Sequence, residues 1–186
     1  LLEQFLTDNI EEASDEVYNM VVLSGHGSGA VGDFLRSENP PKSLSIPTLG
    51  SVLQSALQKV KGRIDVLGMD SCLMSMAEVG YELRRSVGIL IGAEGFAQNT
   101  GWPYNQIITS LKTRPVWEPV DVAKRIVEQY ISYYSDYTAV GISVDHSACD
   151  LREIESLASS VKTLALTLQL KLDSQPVQDA IVLAHW

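Results

Sequence analysis

Val21-Val22-Leu23-Ser24-Gly25-His26-Gly27 is a short apolar run that opens into a glycine-flanked histidine, and its outline recurs downstream, where Ile64-Asp65-Val66-Leu67-Gly68-Met69 leads into Asp70-Ser71-Cys72. Each stretch puts a reactive side chain where a buried strand meets a loop. In an open parallel α/β sheet, ligands and chemistry collect outside the carboxyl ends of the strands. An imidazole beside a thiol is the smallest set that cysteine nucleophilic catalysis needs.

Working outward from these two stretches, Leu1 to about Asn9 has a helical apolar spacing. Asn19 to Ser24 is a strand, and Gly25 to Ser45, rich in Gly, Ser and Pro, reads as a long loop. Ser45, with Pro47 just inside, opens a helix to about Val60, and Gly62 breaks it. Arg63 to Met69 is a buried strand, Leu73 to Leu83 is helical in period, and Val87 to Ala93 is the next strand. A glycine-bearing loop, Glu94 to Trp102, leads to helices over Tyr104 to Lys112 and Pro119 to Tyr134. Tyr137 to Asp145 reads as a fourth strand, and Asp150 onward as helix almost to Trp186. Strands alternating with helices predict an α/β fold on a mostly parallel sheet. The length suits one domain, 1–186, with a substantial core.

The formal charge is 14 − 23 = −9, which argues against nucleic acid as the main partner. The acidic stretch Glu11-Glu12-Ala13-Ser14-Asp15-Glu16 is a solvated loop. Two cysteines, Cys72 and Cys149, do not make a disulfide framework; the first follows a strand and the second sits at the start of the last helix. Three histidines and two cysteines lack zinc-ligand spacing, so no metal site is expected. No stretch approaches the length of a membrane span, and no signal peptide is visible. The chain opens on Leu1 rather than Met, which reads as a piece of a longer protein.

Cys72 stands at the expected N-terminus of the helix that begins near Leu73. There the backbone N–H groups and the positive end of the helix dipole favour a thiolate and supply oxyanion donors. The plainer reading is a small buried apolar residue. The glycines on both sides of His26 let a substrate backbone approach and free the Gly27 N–H; the plainer reading is a turn histidine satisfied locally. His146 and His185 have helix-edge contexts and read as structural. The two signals together are more specific than either. His26 and Cys72 follow successive strands joined by one crossover, and right-handed crossovers bring such strands side by side with their ends on one rim.

Leu23-Ser24-Gly25-His26-Gly27-Ser28-Gly29, Met69-Asp70-Ser71-Cys72 and Gly101-Trp102 resemble the clostripain family, within the caspase–gingipain–legumain group of cysteine peptidases. The resemblance covers nearly the whole chain. It implies a caspase-like three-layer sandwich around a mostly parallel sheet, here without the family's N-terminal strands, and a peptidase that cleaves after Arg and Lys. It makes Cys72 the nucleophile, His26 the general acid–base partner, and the Gly27 and Cys72 N–H groups the oxyanion hole. It makes Asp70 the carboxylate of the primary specificity pocket, suited above all to the fork of an arginine; the plainer reading of Asp70 is a helix cap. Thr100 joins Asp70 as a substrate-binding candidate, although Gln98-Asn99-Thr100 stands where relatives often carry a further acid. Arg36 and Lys42, in the loop between the two motifs, become candidates for self-cleavage.

Calcium is an activator the family knows, but no EF-hand type loop is present and no cofactor is required by the sequence. The implied partners are protein or peptide substrates, with the oligomeric state left open, and the implied location is the bacterial envelope or exterior. A non-catalytic caspase-like binding or scaffold domain is the competing reading. A third reading, an α/β-hydrolase suggested by His26-Gly27-Ser28-Gly29, is disfavoured because no Gly-x-Ser-x-Gly elbow follows.

Overall fold

Apolar runs buried on both faces form the middle of the sheet. The computed structural model describes residues 1–30, 32–38, 41–114 and 117–184, with backbone alone at 33, 36–38 and 41. Strands β1 (Met20–Ser24), β4 (Ile64–Asp70) and β5 (Val87–Gly92) pair in parallel, and β6 (Ser147–Asp150) closes the order β1-β4-β5-β6 as an antiparallel strand. A second, two-stranded sheet is the hairpin of β2 (Asp33–Glu38) and β3 (Pro41–Ser45). The helices are α1 (Leu2–Asn9), α2 (Ile46–Val60), α3 (Ala77–Leu83), α4 (Tyr104–Leu111), α5 (Pro119–Tyr133), α6 (Ser135–Ala139), α7 (Ile154–Gln169) and α8 (Gln175–Ala184).

Two compact units divide the chain, Leu1–Arg152 and Glu153–Trp186. In the first, side chains alternate across the main sheet and feed two cores. Val21, Leu23, Leu67, Met69 and Leu90 join Leu6, Leu49, Leu53, Val79 and Leu83 of α1, α2 and α3 on one face. Val66, Ile89 and Ile91 join Trp102, Ile107, Ala123, Ile126 and Tyr130, from α4, α5 and the loop before α4, on the other. Helices on both faces of a mostly parallel sheet make the expected sandwich. The second unit is α7 and α8, separated at 170–174, with Pro176 in the first turn of α8. Among the described residues, no helix is long and apolar enough to cross a membrane.

α2 starts as its sequence dictates. Ser45 caps it by accepting from the Thr48 N–H at 3.3 Å, Pro47 sits in the first turn, and Lys61 ends it in the left-handed region at φ 51°.

Four expectations need correction. The long loop 25–45 contains the β2–β3 hairpin. A register shift between Phe34 and Ser37, with Leu35 at φ 53°, breaks the two-residue alternation that signals a strand. Phe34 is nevertheless fully buried. The helix after Cys72 starts at Ala77 rather than Leu73. The Leu73 and Ser75 N–H groups donate to Gly95 and Ala93 carbonyls at 2.9 and 3.0 Å, so they are drawn into tertiary pairing. The strand expected over Tyr137 to Asp145 is not formed. Residues 135–139 continue as helical turns, Val140 and Ile142 stay exposed, and 147–150 pair with β5 instead. The single helix expected from Asp150 is a 3-10 turn and two helices, and Cys149 lies in β6.

Candidate active site

The β1–β4 ladder sets the site. Ser24 pairs with Asp70, and the Gly25 N–H donates to the Asp70 carbonyl at 3.2 Å. His26 and Cys72 therefore each lie two residues beyond a matched pair, on the same rim. The loops they sit in press together: a Cβ added to Gly27 would fall 2.4 Å from the Cys72 carbonyl oxygen and 2.7 Å from Met74 Cγ. Only glycine allows this approach. Gly27→Ala is accordingly expected to cost roughly 2 kcal/mol of unfolding free energy, as overpacking does. Chemical denaturation of the two proteins measures it, and equal stability would mean that the loops have room to part.

The hairpin braces the histidine loop from the other side. Gly27 bridges Phe34, and the bond that closes the bridge runs from the Leu35 N–H to the His26 carbonyl at 3.0 Å. The Gly27 N–H is not part of that bond. His26 is exposed and Cys72 half-buried. The Ala97 N–H donates to Cys72 Sγ at 3.3 Å, and Sγ lies 3.9 Å from the Ala97 carbonyl oxygen. Cys72 and Cys149 are both free thiols. Cys72 is not at a helix N-terminus, because α3 begins at Ala77; its loop is held by the 93–97 segment, and Leu73 takes φ 61° in doing so.

Asp70 is buried, and the cap reading fails because Met76 is the N-cap of α3. Its Oδ2 accepts from Tyr104 Oη at 2.6 Å, from the Trp102 N–H at 3.2 Å and from Ser24 Oγ at 3.2 Å. Burial and the bond to Asp70 push the Tyr104 hydroxyl well above its usual range. Gly101 is held at φ 71°, and a Cβ there would lie 2.8 Å from Asp70 Oδ2. Thr100 does not reach Asp70 directly; its Oγ1 is 2.6 Å from Tyr134 Oη, which donates to the Gly101 carbonyl at 2.6 Å. Arg36 lies on β2 and Lys42, exposed, on β3, so both are in paired strands rather than an open loop. His185 lies outside the described residues.

A buried aromatic cluster near Asp70 is not foreseen by the sequence. His146 is not at a helix edge: its ring stacks on Tyr130 at 4.1 Å between centroids and meets Trp102 edge-on at 5.0 Å. Tyr130 and Tyr134 are four apart at the end of α5, a spacing that signals a core face and nothing more. Burial pushes His146 down from 6.5 to about 4, with Asp145 opposing it weakly. The unfolded chain thus binds this proton at a higher pH than the folded one. The stabilisation is whole above about 6.5 and is lost as pH falls to about 4. At about 1.4 kcal/mol per unit the loss is about 3 kcal/mol. His146→Phe, which keeps the ring packing, is expected to be less acid-sensitive by that amount, read from urea unfolding at pH 7 and pH 4.

A cavity of 780 Å³ opens at the other rim, where Ile64 and Val87 begin β4 and β5, and is remote from Cys72. Among the described residues, no group of three or more His, Cys, Asp or Glu is arranged to hold a metal.

A family model described as the clostripain family matches residues 1–183. The chain belongs to the clostripain family. No curated protein matches it. Solved structures do. A secreted C11 cysteine protease from Bacteroides thetaiotaomicron, in complex with an irreversible peptide inhibitor, is 27% identical with a TM-score of 0.62 over 76% of this chain. An inactive zymogen C11 protease from Parabacteroides distasonis is 25% identical with a TM-score of 0.59 over 78%. A clostripain from Bacteroides thetaiotaomicron, in complex with the peptide inhibitor BTN-VLTK-AOMK, is 26% identical with a TM-score of 0.53 over 69%. This clostripain-family chain spans 42%, 37% and 51% of those chains respectively.

Proposed function

We propose that this chain carries the catalytic machinery of a cysteine endopeptidase that cleaves after Arg and Lys. The observation that carries the reading is the juxtaposition of the two loops, with Gly27 packed on the Cys72 carbonyl and Ser24 matched to Asp70. Cys72 Sγ attacks the scissile carbonyl carbon and forms the Cys72–acyl bond as the peptide C–N bond breaks. His26, exposed on its loop, delivers a proton to the leaving amine. The Gly27 and Cys72 N–H groups hold the oxyanion. Water then attacks the thioester, which releases the acid and restores the thiol.

Asp70 gives the pocket its charge, and the exposed ring of Tyr104, whose hydroxyl is bonded to Asp70, suits the stem and cationic head of a basic side chain. The relative held by an inhibitor whose name ends in VLTK-AOMK, with lysine next to the final group, is in keeping with this preference. Thr100 acts through Tyr134 and Gly101 on the rim of the pocket. Self-cleavage after Arg36 or Lys42 belongs to the same reading; Lys42 would first have to leave its pairing with Ser37, whereas Arg36 falls in the irregular stretch of β2. One relative is named as secreted, and we place this protein likewise in the bacterial envelope or exterior.

The test is hydrolysis of paired fluorogenic peptides ending in Arg, Lys, Asp or Leu by the full-length protein. Cleavage confined to Arg and Lys supports the reading. Cleavage after Leu or Asp keeps the peptidase and removes the basic preference. No turnover shifts the weight to a non-catalytic binding or scaffold domain.

A further inference from the structure

We propose that Asp145 is a positioning residue for the nucleophile, acting through the 94–97 loop; the proposal rests on Cys72 as the attacking thiol. β6 runs antiparallel to β5, with Ser147 paired to Gly92, so the residues just before β6 arrive at the same rim as Cys72. Asp145 lies at that entry. Its carboxylate accepts from the Glu94 N–H at 2.6 Å and from the Gly95 N–H at 3.1 and 3.2 Å, closing a clamp across two segments far apart in sequence. The clamped loop then makes two contacts with the Cys72 loop. The Gly95 carbonyl accepts from the Leu73 N–H at 2.9 Å, and the Ala97 N–H donates to Cys72 Sγ at 3.3 Å.

The fit leaves no slack. A Cβ on Gly95 would lie 2.8 Å from Asp145 Oδ1, so the turn needs glycine to reach the carboxylate. An N–H aimed at sulfur stabilises the thiolate over the thiol. Asp145 thus fixes the loop that holds the sulfur in place for attack, without touching Cys72 itself. It is also a job that a helix N-terminus would otherwise do, and α3 starts too late to do it.

The experiment compares iodoacetamide labelling of Cys72 and Cys149 within the same molecule, by peptide mass spectrometry, in full-length wild type, Asp145→Ala, Asp145→Asn and Gly95→Ala. Asp145→Ala is expected to slow Cys72 labelling at neutral pH about tenfold, the scale for losing a hydrogen bond to a charged group. Cys149 should be unchanged. Asp145→Asn, which keeps one acceptor oxygen, should fall between, and Gly95→Ala should follow Asp145→Ala. In peptide hydrolysis the loss should appear in kcat and leave KM little changed. Unaltered Cys72 labelling would overturn the proposal. So would a rise at both cysteines, which marks general loosening; if Asp145→Ala does not fold, Asp145→Asn and Gly95→Ala decide. Labelling needs no turnover, so a protein that labels as expected yet cleaves nothing would sink the peptidase reading and leave the role of Asp145 standing.

Discussion

Cys72→Ala is expected to lower kcat/KM for an arginine peptide by roughly 10⁴-fold or more, the scale seen when a covalent nucleophile is removed. The fold should hardly notice. Cys72 is half-buried, and among the described residues its sulfur is hydrogen-bonded by the Ala97 backbone. Thermal unfolding of the variant within a few degrees of wild type would therefore accompany the loss. His26→Ala should cost a comparable factor, and the double variant little more than either single one, because in the proposed mechanism the two groups act as a unit. Strictly additive losses would mean that imidazole and thiol do not serve the same step. Survival of activity in Cys72→Ala would remove the nucleophile from the proposal altogether.

Asp70→Asn is the second large effect. Its carboxylate is buried, held by Tyr104, Ser24 and the Trp102 amide, all donors to one oxygen, and is the proposed partner of the substrate's basic side chain. A bound guanidinium would complete the site as a buried ion pair. Removing one partner of such a pair costs about 3–5 kcal/mol, so kcat/KM for arginine substrates should fall about 10³-fold. Hydrolysis of a leucine peptide, slow to begin with, should stay level or rise. The ratio of the two rates is the measurement. A proportional fall on both peptides would assign Asp70 to holding the loop at Gly101 and Trp102 instead of to selecting substrate.

The parts of this architecture that could be read from sequence are those whose cause is local. β4 and β5 are buried on both faces and β1 buries Val21 and Leu23, so their residues form continuous apolar runs, and the two candidate side chains follow directly from where β1 and β4 stop. α2 carries its own cap in Ser45 and Pro47. What escaped is what distant partners decide. Leu73 to Leu83 has a helical period, yet the first N–H groups are claimed by Gly95 and Ala93. β6 is four residues with little strand preference, Ser147-Ala148-Cys149-Asp150, and exists because β5 offers an edge. The aromatic cluster near Asp70 comes from α4, from the end of α5 and from the approach to β6. No spacing in the sequence could have brought Tyr104 to Asp70, or His146 against Trp102 and Tyr130.

The ladder pairing of Ser24 with Asp70 has a consequence for descent. The two reactive loops are spaced by rungs of the sheet, not by the amount of chain that runs between them. Insertions and deletions can therefore gather around the tip of the hairpin, between Glu38 and Pro41, without disturbing the chemistry, provided that Phe34 and Leu35 keep their grip on His26. A single residue gained or lost inside β1 or β4 is another matter, for it would turn every later side chain to the opposite face. Across lineages, length should vary freely in the first place and hardly at all in the second.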